Sequence, residues 1–209
     1  MNEGTGRESI KLGHNARRAG RPSDALDHYR AALTSEPDSA EANSVYGLML
    51  LHLGRADEAE PPLRKAVELS PSHAAFRMNL AEWFTHQGKL DQAVQMVAGV
   101  AADQPQFWWA WDRLGDLKVR LQEFGDAATH YGRAAQLRPN DPSLLFKWAR
   151  SSFDCGRVED ATRILNDAAK LAPAHEAILR LHAEIFELQA KWVALEHLAK
   201  SWTQAHRKS

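Results

Sequence analysis

Residues 111–139 read WDRLGDLKVRLQEFGDAATHYGRAAQLRP, and this stretch contains the pattern that decides the fold. Apolar residues recur at helical spacing in two parts of it, 111–115 and 124–134. Pro139 follows the second part, where its missing N–H and its ring end a helix and push the preceding residue out of helical geometry. The stretch therefore predicts two helices joined by a short turn.

The same pattern recurs along the chain every 34 residues, with no insertion to break the register. Glycine recurs at the predicted turn, although Gln122 and Ala190 replace it in two of the copies. A strict period of this length predicts a stack of similar helix pairs rather than one globular core. The prolines that mark it are Pro37, Pro71, Pro105, Pro139 and Pro173.

We divide the chain into a short N-terminal tail, 1–5, and a single array over 6–209. Two columns of alanine allow the helices to approach closely, and a column of larger residues such as Tyr29 and Leu63 fills the space between neighbours. The array then holds six repeats, numbered one to six in chain order: 6–39, 40–73, 74–107, 108–141, 142–175 and 176–209.

This pattern resembles the tetratricopeptide repeat (TPR), although Lys118 stands where the family has an aromatic residue. The resemblance implies an all-α fold, an α-solenoid of antiparallel helix pairs known as a TPR superhelix, with twelve helices here. It also implies a concave side lined by the first helices, which usually binds peptides. The family motif is met most fully by Trp111, Leu114, Gly115, Ala127, Tyr131 and Pro139.

Composition excludes several functional classes. The chain has 209 residues and a formal net charge of -1, which argues against a general nucleic-acid or membrane-surface binder. No apolar run approaches the length of a membrane helix, so no membrane insertion is expected. Cys155 is the only cysteine, which excludes an internal disulfide. Residues 1–10 lack the apolar core of a signal peptide, and a cytoplasmic location is the default expectation.

No catalytic motif is recognisable, so we expect neither enzymatic activity nor a cofactor. The sequence contains no glycine-rich phosphate loop, no His-Glu-x-x-His and no Cys-x-x-Cys. His52 and His86 share a column facing the predicted groove, but adjacent helices hold such columns about 10 Å apart. Since a metal ion needs shorter distances and a third ligand, no metal site is predicted. His28 and His130 are expected at the surface.

The predicted function is a non-enzymatic scaffold that binds a peptide or helical segment of another protein in its concave groove. Trp109 would be the apolar anchor, since aromatic and arginine residues dominate binding energies. Arginines would meet carboxylates, and the acids would select basic residues. The alternative for Trp109 is packing between repeats. The candidate binding residues are Asn79, Glu82, His86, Trp109, Asp112, Arg113, Asp116, Arg120, Phe146, Lys147 and Arg150.

Some family members clamp a C-terminal carboxylate with residues from five columns of three successive repeats. Asn79 and Arg113 match two of these columns. Because Ser44, Leu48 and Trp109 occupy the other three, aromatic and mixed-charge contacts are expected here instead.

Two further hypotheses concern the C-terminal part of the chain. Arrays of this kind resemble the N-terminal portions of bacterial sulfotransferases and glycosyltransferases, which would make the chain a targeting arm of a larger enzyme. Alternatively, Trp192, Leu195 and Trp202 form an exposed apolar face through which the chain assembles with itself. These residues could equally close the array by filling the space of a following helix.

Pro61 and Pro62 fall inside the second helix of repeat two. Interior prolines cost about 3 kcal/mol each through lost hydrogen bonding and ring clash. The pair predicts a kink or a helix that starts late.

Overall fold

The computed structural model describes the backbone of residues 3–206 and the side chains of residues 5–190, 192 and 193. Every regular element within the described backbone is an α-helix. The helices are α1 (Glu3–Arg18), α2 (Pro22–Ser35), α3 (Ala40–His52), α4 (Ala56–Leu69), α5 (Ala74–His86), α6 (Leu90–Asp103), α7 (Trp108–Arg120), α8 (Phe124–Leu137), α9 (Pro142–Asp154), α10 (Val158–Leu171) and α11 (Glu176–His206).

Residues 1–110 and 111–209 form two compact units, called here the N-terminal and the C-terminal unit. In the N-terminal unit, α1 pairs with α2, α3 with α4 and α5 with α6, and α3 also contacts α5. In the C-terminal unit, α9 packs between α8 and α10 and contacts α11. Within each unit, most helices that follow one another in the chain are therefore neighbours in space, as expected for tandem repeats.

Close contacts between a small residue on the first helix and a large one on the second hold each pair together. A Cβ atom added to Gly13 would lie 2.3 Å from the ring of Tyr29, and one added to Gly115 would lie 2.4 Å from the ring of Tyr131. The two alanine columns are fully buried, for example at Ala127. The prediction that small columns permit close packing is confirmed.

The turn between the two helices of a repeat requires a left-handed residue. Four glycines adopt it, with φ of 70° at Gly20 and Gly88, 76° at Gly54 and 84° at Gly156. In repeat four Gln122 takes the same conformation with φ 61°, so the turn forms there without glycine.

Repeat six differs from the prediction. The helix α11 runs from Glu176 to His206 without interruption through Ala190, where a turn was expected. The expectation of twelve helices was wrong. A second helix in this repeat would set Ala199 opposite Ala183 in the columns where repeat four sets Tyr131 opposite Gly115. Folding back therefore buries less apolar surface, and continuing the helix avoids a left-handed alanine.

Two helices also start at positions that differ from the prediction. The helix α1 begins at Glu3, inside the segment assigned to the tail. The helix α4 begins at Ala56, in register with the other second helices, and continues through Pro61 and Pro62. The late start was wrong, and the helix lacks the two backbone bonds that these prolines cannot donate.

Candidate functional site

The candidate site of the C-terminal unit lies on the first helices α7, α9 and α11, a surface called here the first-helix face. At its centre, Lys147 on α9 reaches two carboxylates on α7. Its Nζ atom donates to Asp112 Oδ1 at 2.7 Å and to Asp116 Oδ1 at 2.9 Å. The hydroxyl of Tyr131 on α8 donates to the same Asp116 oxygen at 2.7 Å. These four residues form what we call the α7–α9 cluster.

Burial sets the protonation behaviour of this cluster. Asp112 is 8% exposed, and its burial raises the pKa of the carboxyl although the hydrogen bond from Lys147 opposes the shift. Burial alone would lower the pKa of Lys147, but the hydrogen bonds to Asp112 and Asp116 outweigh it and raise that pKa. Burial, followed by the negative charge of Asp116, raises the pKa of Tyr131.

Hydrogen bonds within the cluster connect two repeats. Asp112 and Asp116 belong to repeat four and Lys147 to repeat five, so their hydrogen bonds cross the boundary between the repeats. Arg113 adds a second cation 3.7 Å from Asp116. The carboxylates thus face cations of the protein itself, and the cluster stabilises the stacking of α9 on α7.

A second group of charges lies further along the same face. Arg150 on α9 lies 2.7 Å from Glu184 on α11 and 3.0 Å from Asp154, and its guanidinium stands 5.8 Å from the centre of the Phe153 ring. The side chain of Arg150 remains 42% exposed. A half-exposed cation beside an aromatic ring is chemically suited to contact a partner.

The end of α7 adds exposed residues to this face. Val119 is 37% exposed, and Arg120 is exposed with no ion pair among the described side chains. Phe146 is half-buried, with its ring centre 6.2 Å from that of His175. Val119 and Phe153 occupy corresponding positions of consecutive repeats, so they place apolar surface in one column.

The remaining predicted residues lie in the N-terminal unit. Asn79 Nδ2 donates to Ser44 Oγ at 2.8 Å, and Glu82 Oε1 lies 3.1 Å from His52 Nε2. His86 is exposed on the same helix as Asn79 and Glu82.

Trp109 belongs to the same unit. Its indole is half-buried, and its ring centre lies 5.9 Å from that of Phe107 in an edge-to-face arrangement. Both the anchoring and the packing interpretations of this residue remain predictions.

Sequence reasoning missed two residues that contact the candidate residues. Glu184 and Tyr131 were not among the candidates, yet each bonds a candidate residue. A signal for Glu184 exists, because it lies 34 residues after Arg150 in the same column with the opposite charge. His130 was expected at the surface, and the structure places it half-buried. The centre of its ring lies 5.8 Å from that of Trp111 in a stacked arrangement, and burial lowers the pKa of His130.

The described residues contain no group of three histidine, cysteine or acidic side chains placed to hold a metal ion. In the same part of the chain, no helix combines the length and apolar character needed to cross a bilayer. The predicted cytoplasmic location stays a prediction.

Comparison with known proteins agrees with this architecture. Two family models described as tetratricopeptide repeat match the chain, one at residues 10–74 and the other at residues 50–114 and 119–185. The solved structure of PilF from Pseudomonas aeruginosa is similar with a TM-score of 0.79 at 18% identity, over 90% of this chain and 86% of that one. At that identity the likeness concerns the fold alone.

Curated relatives are similar over part of their length. DnaJ homolog subfamily C member 3 from Bos taurus is 33% identical over 84 residues, which cover 40% of this chain and 17% of the relative. Protein O-mannosyl-transferase TMTC1 from Homo sapiens is 26% identical over 136 residues, or 65% of this chain and 15% of the relative. The chain thus spans less than a fifth of either relative. Its repeats and the family matches show that the chain belongs to the tetratricopeptide repeat family, whose fold typically serves as a scaffold for protein interactions.

Proposed function

We propose that this chain is a non-enzymatic scaffold that binds a peptide segment of a partner protein on the first-helix face of its C-terminal unit. The observation that carries the proposal is the edge formed by Val119, Arg120 and Phe153. Val119 is 37% exposed and Phe153 is half-buried there, beside an exposed cation that has no ion pair among the described residues. Arg150, half exposed above Phe153, extends this edge toward α11.

The chemistry of the edge specifies the peptide. Arg120 offers its guanidinium to a carboxylate, and Val119 with Phe153 offers apolar surface to a large side chain. The acids of the α7–α9 cluster are engaged by Lys147, and therefore contribute less to selecting basic residues than the sequence suggested. We infer a ligand with an acidic residue close to an aromatic or aliphatic one.

The candidate residues of the N-terminal unit are proposed as contacts on the equivalent face of that unit. His86 is exposed there, and the half-buried Trp109 retains its proposed role as an apolar contact. Asn79 and Glu82 are held by Ser44 and His52, so their polar groups would have to exchange these partners for a ligand.

Selection from a random peptide library displayed on phage tests the proposal, with the purified full chain as bait. We expect enrichment of peptides that pair an acid with a large apolar residue, and binding that weakens about tenfold or more in Arg120→Glu and Phe153→Ala. Arg163→Glu, which changes an exposed arginine on the second helix α10, is the matched control. Enrichment of peptides without acids, or equal binding by all three variants, would contradict the proposal.

A second candidate function is the interaction domain of a larger enzyme. It is favoured by the similarity to TMTC1, which is named as a mannosyl-transferase and is several times longer than the matched segment. Reading the coding sequence on both sides of the 209 residues tests it, because a catalytic domain in the same frame is required.

A further inference from the structure

One face of the long helix α11 is apolar and uncovered. Five residues at alternating spacings of four and three occupy it, which places them on a single side of a helix. Leu179 is 50% exposed, Phe186 is 72% exposed and Val193 is 54% exposed, and the two alanines between them are exposed as well. We call this face the α11 stripe: Leu179, Ala183, Phe186, Ala190 and Val193.

The same repeat positions are buried wherever a second helix folds back on the first. The position of Ala183 is held by Gly13, Gly47, Ala81, Gly115 and Ala149 in repeats one to five, and all of them are buried. The position of Phe186 is held by Ala16, Leu50, Phe84 and Ser152 in repeats one, two, three and five, which are also buried. In repeat one, for example, Tyr29 of the second helix lies against Gly13.

Repeat six therefore presents half of a helix–helix interface. Its first half has the residues that a second helix covers elsewhere, while residues 190–206 continue the helix instead of folding back. Within the described part of the chain, no helix covers the α11 stripe. An exposed phenylalanine, leucine and valine in one row form a surface that another helix would bury.

We propose that the α11 stripe pairs with the α11 stripe of a second copy of this chain, with the two helices antiparallel about a twofold axis. Large and small residues alternate along the stripe. An antiparallel pairing that sets Phe186 opposite Ala190 also sets Ala183 opposite Val193, and the twofold axis repeats both contacts. Phe186 and Val193 then each meet an alanine, the arrangement that lets two helices approach closely.

The pairing leaves the first-helix face available. Glu184, which binds Arg150 on that face, lies on nearly the opposite side of α11 from Phe186. A dimer built this way would carry two peptide sites, so that partners with two binding segments are held more tightly than by one copy.

Sedimentation velocity of the full chain over a wide concentration range tests the proposal. We expect a reversible dimer whose dissociation constant rises at least about tenfold in Phe186→Glu and in Ala183→Arg. Leu12→Glu on α1 is the control, since Leu12 is an exposed apolar residue (43%) outside the stripe. A chain that stays monomeric throughout, or a dimer that is unaffected by Phe186→Glu and Ala183→Arg, overturns the proposal.

Cross-linking tests the register. In a Cys155→Ser background, a Phe186→Cys chain mixed with an Ala190→Cys chain should form an interchain disulfide on mild oxidation. Val193→Cys should not link to itself, because antiparallel pairing holds the two copies of this position well apart. Self-linking of Val193→Cys without the mixed link would indicate parallel helices and overturn the antiparallel register.

Discussion

Lys147 on α9 lies 2.7 Å from Asp112 on α7, and this contact links repeat five to repeat four through a largely buried carboxylate. The contact makes part of the predicted binding surface a structural element. A carboxylate that is 8% exposed needs a cation close by, because water cannot solvate it.

Removing the cation should therefore cost stability. Breaking a fully buried pair costs 3–5 kcal/mol, but Lys147 is 34% exposed, so we expect Lys147→Met to lower the free energy of unfolding by about 1–3 kcal/mol. Urea unfolding followed by circular dichroism measures the change. Lys170→Met, which breaks the exposed pair with Asp167, should cost less than about 0.5 kcal/mol. Equal losses in the two variants would show that burial of Asp112 has no energetic effect.

The same cluster predicts a loss of stability at alkaline pH. The folded-state pKa values of Lys147 and Tyr131 are both raised, whereas in the unfolded chain these groups titrate near their ordinary values of about 10.4 and 10. Above about pH 10 the folded state thus binds more protons than the unfolded state, and the free energy of unfolding falls as pH rises. Tyr131→Phe should reduce this slope in pH-dependent urea titrations. An unchanged slope in that variant would contradict the assignment.

Asp112 adds a second pH dependence of stability, this one in the acidic range. Its raised pKa means that the folded state holds a proton on this carboxyl at pH values where the unfolded chain has released it. Its contribution therefore favours folding at low pH and is lost as pH rises from about 4 through the folded-state pKa. Asp112→Asn should remove this decline, which would appear as a flatter stability profile over that range. A profile identical to that of the unaltered chain would show that Asp112 does not titrate differently on folding.

The helix pairs could be predicted because their causes are local in sequence. A helix end favours proline, a close contact requires a small residue and a turn favours glycine. Each of these residue types stands at a fixed position of the repeat. The straight helix of repeat six was less predictable. Gln122 and Ala190 are both departures from glycine, yet only Gln122 adopts the turn, with φ 61°. The difference depends on what packs after the turn, and this is a property of contacts between helices.

The candidate site could be predicted as a set of positions but not as a set of available charges. Asp112, Asp116 and Lys147 all lie on first helices at the expected positions, and the structure brings them together. Reading each repeat separately assigned these charges to a ligand. Comparing consecutive repeats would have shown opposite charges 31 and 35 residues apart, the separation at which neighbouring first helices contact each other here.

The turn of repeat four offers a stabilising substitution. A non-glycine residue in the left-handed region costs roughly 1 kcal/mol, and Gln122 occupies this region with φ 61°. Gln122→Gly should therefore raise the free energy of unfolding by about 0.5–1 kcal/mol in urea titration. Gly88→Ala, at the equivalent position with φ 70°, should lower it by a similar amount. Destabilisation by Gln122→Gly would mean that its side chain makes a contact worth more than the backbone strain.

The pairing of small with large residues between the two helices of a repeat predicts a clash and its rescue. In Gly13→Ala the new Cβ would lie 2.3 Å from Tyr29, a buried ring that cannot move aside, so we expect a loss of about 1–3 kcal/mol. Repeat five already combines alanine with leucine in these columns, at Ala149 and Leu165, both fully buried. The double variant Gly13→Ala with Tyr29→Leu should therefore recover part of the loss, less the hydrogen bond of 2.8 Å that joins Tyr29 to His14. A double-mutant cycle in urea gives the coupling energy, and additive losses would show that the two positions do not pack against each other.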